Sequence, residues 1–243
     1  PRAPSSPGWR VLCLLVSGAC GLSPALPDSA RLHESAWNAA TDSRTGIPAA
    51  GSGVFLALGV DDRVSDWAQR NTPVFGSVAN AQRESDALRT LAHRSMDIAL
   101  LSHFYTEGIS PRSWWQVGLG YGSAITATET AGALKKLVGR DRPHPSPSSP
   151  SWPSQHATRA FAYSSSARAA FQSAGTRNLF STSIVAMGEA SAVGCAWARI
   201  ESGSHYPSDV LAGAALGNFT TLFIQEAFDF HDSPFSLVVF PGP

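Results

Sequence analysis

Five prolines fall within eleven residues, at Pro143, Pro145, Pro147, Pro150 and Pro153, and this stretch constrains the fold more than any other. Proline has no backbone N–H and a fixed φ, so it breaks helix interiors and is excluded from central strands. Gly139 to Pro153 is therefore expected to form a long rigid loop, and loops of that length are often functional. The text on both sides of it is helical. Residues Glu84 to Tyr105 place Leu88, Leu91, Met96, Ile98, Leu100 and Leu101 mostly three or four apart, the spacing of a core-facing helix. Ser110-Pro111 is a cap followed by proline, and the helix it opens is expected to run to about Val138. Further helices are expected from about Ser154 to Phe171, from Asn178 to about Ala198, and from Pro207 to about Phe228.

Upstream, His33 to Thr41 reads as a short helix, and Ile47 to Val60 as a buried or loosely packed one. Asp61 to Trp67 reads as a polar helix start, and Asn71 to Gln82 as a loop. The tail segment Phe235 to Phe240 suits a short strand or a packed extended arm. No strand alternation runs through the body and no segment repeats. The expected fold is all-α, a compact helical bundle with its active site at helix ends and at the Pro-rich loop.

Composition narrows the partners. Eighteen basic residues balance eighteen acidic ones, so no global field recruits nucleic acid. Only Lys135 and Lys136 are lysines, and they are adjacent. The apolar share of 43% suits a core but not a polytopic membrane protein. Glu129, Glu189 and Asn218 interrupt the apolar helices, so a soluble bundle with at most peripheral membrane contact is expected. Residues 1–25 read as an export signal: Arg2 and Arg10, then Val11 to Val16, then small residues, with cleavage after Ala19 or Ala25. Cys20 adds a lipoprotein reading, against which Ser17 stands where a bulky aliphatic is usual. Residues 28–243 would then be a single domain working in the periplasm or at the outer membrane. Cys195 is the body's lone cysteine and is expected to be a small buried residue, without disulfide or metal spacing.

Three clusters carry chemistry. Lys135 is followed by Arg142-Pro143 at the start of the loop. Pro153-Ser154-Gln155-His156 stiffens and caps a helix start, where backbone amides suit an anion. Arg199 precedes His205 and Asp209 across the entry of the last helix, and Asp209 lies about one turn past His205. Asp209 is expected to accept a hydrogen bond from one ring nitrogen of His205 and leave the other free to attack. Three cations (Lys135, Arg142, Arg199), a set of amides and two histidines fit a tetrahedral oxyanion, with phosphate the obvious choice. Phosphoryl transfer needs position and charge neutralisation, so neither a metal nor another cofactor is required.

The order Lys135-x6-Arg142-Pro143, Pro153-Ser154-x-His156, Arg199-x5-His205-x3-Asp209 resembles the tripartite signature of the type 2 phosphatidic acid phosphatase superfamily, over about residues 110 to 226. That superfamily includes bacterial non-specific acid phosphatases, lipid phosphatases and vanadium haloperoxidases. The resemblance implies a helical bundle and a phosphohistidine on His205. It also implies phosphate contacts from Lys135, Arg142, Ser154, Gln155 and Arg199, with His156 as the acid. Two positions depart from the pattern. Gln155 replaces a usual glycine, which is expected to narrow the pocket mouth or add a polar contact. Ala198 replaces a usual serine.

The leading reading is a phosphatase for lipid (pyro)phosphates or small phosphate monoesters. The alternatives are a vanadate-dependent haloperoxidase and a non-catalytic exported phosphate- or lipid-binding protein. Neighbouring residues get plainer expectations. Lys136 is a solvated helix residue, Arg140 and Asp141 form a loop ion pair, and His144 lies on the surface. Glu201, Ser202 and Ser204 serve the turn, Trp114-Trp115 packs, and His33, His93, His103 and His231 are structural. The run Ala212 to Gly217 signals close helix packing.

Overall fold

The computed structural model describes residues 27–143 and 150–228. The leader with Cys13 and Cys20, His144, His231 and the segment Phe235 to Phe240 lie outside the described residues. The described residues form eight helices and no strand: α1 (Ser29–Thr41), α2 (Ser43–Leu58), α3 (Asp61–Asn71), α4 (Val78–Glu107), α5 (Pro111–Val138), α6 (Gln155–Ser173), α7 (Leu179–Glu201) and α8 (Pro207–Ala227). The all-α bundle is as expected.

Most starts are set by short polar side chains that satisfy free amides of the first turn. Asp42 accepts from the Arg44 amide, Ser77 from Asn80, Ser110 from Ser113, and Asn178 from Ser181. Ser77 explains why α4 opens six residues before Glu84, inside the stretch expected to be loop. Proline occupies the first turn of α5 and of α8. Gly139 closes α5 in the left-handed conformation at φ 64°, which releases the chain into the Pro-rich loop.

Helix α6 is the axis of the bundle, packing against α4, α5, α7 and α8. Its residues enter every buried apolar cluster: Ala157 with Ala68, Ile200 and Val210; Ala160 with Ala92, Ala192 and Cys195; Ala162 with Ala124 and Ala127; Ala167, Ala170 and Phe171 with Met96, Leu100 and Val185. A core this rich in alanine requires backbones to approach closely. Gly213 shows how closely: a Cβ there would lie 2.6 Å from the Ser154 carbonyl oxygen, and one at Gly217 would collide with the Thr158 carbonyl. The small-residue run of α8 is thus the seam with α6, as its composition suggested.

Two expectations on apolar residues change. α2 packs one face on α8 but leaves Ile47 and Leu58 72% and 68% exposed, so it is a peripheral helix. Trp115 packs, with Nε1 donating to the Phe228 carbonyl at 2.8 Å, whereas Trp114 is mostly exposed and lies edge-on to Phe104 at 5.1 Å. Among the described helices, α7 is long and apolar enough to cross a membrane by length and composition, although Glu189 interrupts it.

Candidate active site

The C-terminal ends of α5 and α7 meet the N-terminal ends of α6 and α8, and the three sequence clusters converge there. Lys135 lies in the last turn of α5 and is buried. Its Nζ donates to the carbonyls of Pro150 at 2.6 Å and Ser151 at 3.0 Å, so it ties the far end of the Pro-rich loop back to the near end. Burial first, then Arg142 and Arg199, push its pKa down to about 8, against the pull of Asp209. Arg142 is half-buried, and burial likewise lowers its pKa while Asp209 raises it.

Ser154 caps α6, and its own amide donates to the Asp209 carbonyl at 2.9 Å. That bond locks the start of α6 to the start of α8. The Gln155 side chain turns away from this junction. Its Nε2 donates to the Thr128 carbonyl at 3.1 Å and sits against Gly132 of α5, where a Cβ would lie 2.9 Å from it. Of the two expectations for Gln155, the added polar contact is the one seen, and it is made to α5. The lack of a side chain at Gly132 gives the amide room to bridge α6 to α5. His156 points its Nε2 at Asp86 Oδ1, 3.1 Å away on α4. Burial, then Arg199 and Arg89, hold its pKa down to about 4, despite the bond to Asp86.

Arg199 is buried near the end of α7. Its Nη1 donates to Gln82 Oε1 at 3.0 Å and Ser85 Oγ at 3.2 Å on α4, and its Nε is buried without a hydrogen-bond partner among the described residues. Burial foremost lowers its pKa to about 10. The amides of Ser204 and His205 both donate to the Arg199 carbonyl at 3.1 Å, a tight turn that Gly203 permits at φ 65°. That turn carries the third motif back to the same place. His205 is 1% exposed. Burial, then the charges of Lys135, Arg199, Arg142 and His156, hold its pKa well below the usual histidine range, which favours the neutral imidazole.

His205 Nδ1 lies 3.4 Å from Asp209 Oδ2. This is an approach rather than the expected hydrogen bond, because Nδ1 has no hydrogen-bond partner among the described residues. The reason is that Asp209 is already engaged. Oδ2 accepts the Tyr206 amide at 2.8 Å and Oδ1 accepts Arg140 Nη1 at 2.8 Å. Burial foremost raises the Asp209 pKa, opposed by these donors.

Arg140 is the second correction. It does not pair with the exposed Asp141; it bridges Asp209 to Asp61 of α3, with Nη2 2.9 Å from Asp61 Oδ2. Glu201 is the third. It is fully buried and accepts the amides of Val74 and Phe75 at 2.9 and 3.1 Å, pinning the α3–α4 connection to the end of α7. Ser202 and Ser204 do serve the turn, bonding each other at 2.9 Å. Lys136 and His33 are exposed, and Cys195 is buried with its thiol pushed up to about 12 by burial. His103 is buried against Ser173, and His93 stacks on Tyr163 at 4.4 Å. Sequence reasoning missed Asp61, Gln82, Ser85 and Asp86, which brace the site from α3 and α4; nothing local marks them.

Residues 114–231 match the model of the PAP2 superfamily. That segment belongs to the PAP2 superfamily. The matched segment spans the three clusters just described and ends beyond α8. Among solved structures, the chain is similar to the first transmembrane PAP2 type phosphatidylglycerolphosphate phosphatase from Bacillus subtilis. The TM-score is 0.54 at 18% identity, over 78% of this chain and 94% of that one. At that identity the likeness speaks for the fold. No curated protein matches the sequence significantly.

Proposed function

We propose that this PAP2 protein is a metal-independent phosphatase that works through a phosphohistidine on His205. The observation that carries the reading is the convergence of buried Lys135 and Arg199 with half-buried Arg142 around a buried neutral imidazole, at the capped end of α6. Gathering cations in a buried site is costly, and a bound phosphate offsets that cost. The unpartnered Nε of Arg199 is a donor of the kind a phosphate oxygen accepts.

With Nδ1 turned to Asp209, Nε2 of His205 is the nitrogen left to attack phosphorus in line. The bond to the leaving oxygen breaks as that oxygen takes a proton from His156. Water then attacks the phosphohistidine, gives a proton back to His156, and inorganic phosphate departs. Lys135, Arg142, Arg199, Ser154 and the Gln155 backbone amide hold the equatorial oxygens, where charge develops. His156 must be protonated to act as the acid. The negative charge of bound phosphate opposes the cations that depress its pKa, so substrate recruits its own proton donor.

The substrate class is a phosphate monoester or lipid (pyro)phosphate. Family membership and a fold shared with a phosphatidylglycerolphosphate phosphatase favour the lipid end of that range, and the apolar α7 favours association with a membrane. The leader-like residues 1–25, with Cys20, fit export and a lipid anchor. The binding-only reading loses its support, because Gln155 faces α5. The test is His205→Ala in the purified full chain, with lipid and soluble esters side by side. Turnover and covalent labelling by radioactive phosphate should both vanish, while the wild type resists EDTA and is inhibited by vanadate. Labelling that survives the substitution sinks the mechanism, and halide oxidation with vanadate and peroxide would reassign the pocket to haloperoxidase chemistry.

A further inference from the structure

We propose that Asp61 is a positioning residue for the His205–Asp209 pair, acting through Arg140 and Ser208 from a helix outside the PAP2-matched segment. The inference rests on His205 being the nucleophile.

The geometry is a closed ring of polar contacts, with buried carboxylates on either side of a part-buried guanidinium. Asp61 is 5% exposed and Asp209 fully buried. Arg140 reaches Asp61 Oδ2 through Nη2 at 2.9 Å, and reaches Asp209 Oδ1 at 2.8 Å and Ser208 Oγ at 2.7 Å through Nη1. Asp61 Oδ1 accepts the Ser208 amide at 3.0 Å, and Oδ2 accepts the Ser208 hydroxyl. The Tyr206 ring covers the guanidinium at 4.1 Å. Ser208 and Asp209 lie in the first turn of α8, so Asp61 holds both the arginine and the helix end that carries the dyad.

Charge gives the ring its purpose. A guanidinium alone against Asp209 would cancel the carboxylate and leave His205 without an anionic partner. Asp61 supplies a second carboxylate, so the Asp61–Arg140–Asp209 set carries one net negative charge. The phosphorylated imidazole carries a positive charge on its ring, and the retained negative charge next to Nδ1 stabilises it. The other charges facing His205 are Lys135, Arg142, Arg199 and His156, all unfavourable to a cationic imidazole when charged.

Asp61→Asn in the full chain keeps the size of the side chain and removes the charge. We expect kcat to fall by about 10- to 100-fold, the range typical of removing a residue that orients a reacting group. KM for the same ester should move by less than about threefold. The acid limb of the kcat–pH profile should shift to lower pH, because His205 loses a neighbouring negative charge. Asp61→Glu should restore much of kcat. Inhibition by inorganic phosphate reports whether the anion pocket is intact, so turnover can be expressed per competent site. Loss of kcat with phosphate inhibition retained and the pH limb shifted supports the proposal. Wild-type kcat and an unmoved pH profile overturn it and leave the His205 mechanism standing. A kcat loss that disappears on normalising to phosphate-competent protein also overturns it, since the role is then only structural. Labelling that survives His205→Ala overturns the mechanism and this proposal together.

Discussion

Acidification should destabilise the ligand-free protein, and His156 sets much of the loss. Its pKa is held down from 6.5 to about 4, chiefly by burial and then by Arg199. The folded value lies below the unfolded one, so between those two pH values the unfolded chain binds a proton that the folded chain refuses. The stability is therefore complete above pH 6.5 and drains away as the pH falls toward 4. From pH 6.5 to pH 5, at about 1.36 kcal/mol per unit, the loss is about 2 kcal/mol. For a chain of this size that corresponds to a drop in Tm of about 4–8 °C. His205 adds a loss of the same sign, since its pKa is also lowered. Asp209 works the other way, because its raised pKa favours the folded state as the carboxyl protonates. Denaturant titrations at pH 7, 6 and 5 measure the slope, and His156→Gln should flatten it. Inorganic phosphate should restore stability at pH 5. A unit negative charge at about 4 Å contributes about 4 kcal/mol at an effective dielectric constant near 20, more than His156 loses. The reasoning fails if wild type and His156→Gln lose stability in parallel, or if the protein is as stable at pH 5 as at pH 7.

Two further outcomes follow from the helix junctions. Gly213→Ala places a methyl 2.6 Å from the Ser154 carbonyl, so it should cost about 1–3 kcal/mol and weaken phosphate inhibition by displacing the α6 cap; thermal melts and inhibition constants check both. Gln155→Ala keeps the backbone amide at the anion site and removes the bond to Thr128, so kcat should stay within about twofold while stability falls by about 1 kcal/mol.

Much of the bundle was legible because its punctuation is local. Ser110-Pro111 and Tyr206-Pro207 mark helix starts by proline's own geometry, and Gly139 marks a stop by its left-handed φ. The three motifs were legible for the same reason, since each occupies a few positions at a helix end. Their restraints were not. Arg140 finds Asp61 across 79 residues of chain rather than the adjacent Asp141, and Arg199 finds Gln82 across 117. Such pairings depend on which helices become neighbours. Gln155 left two readings open for a related reason: a side chain at a helix start has several ways to turn, and Gly132 on α5 is what opened one of them.

The location of those restraints bears on how the protein can be cut and recombined. A fragment starting at α5 would carry all three motifs and still lack Asp61, Gln82, Ser85 and Asp86. Such a fragment would resemble a lock with its pins but without the housing that aligns them. Chimeras made by swapping the first four helices between homologous chains would therefore exchange these restraints along with the scaffold, even though all three motifs stay on the recipient.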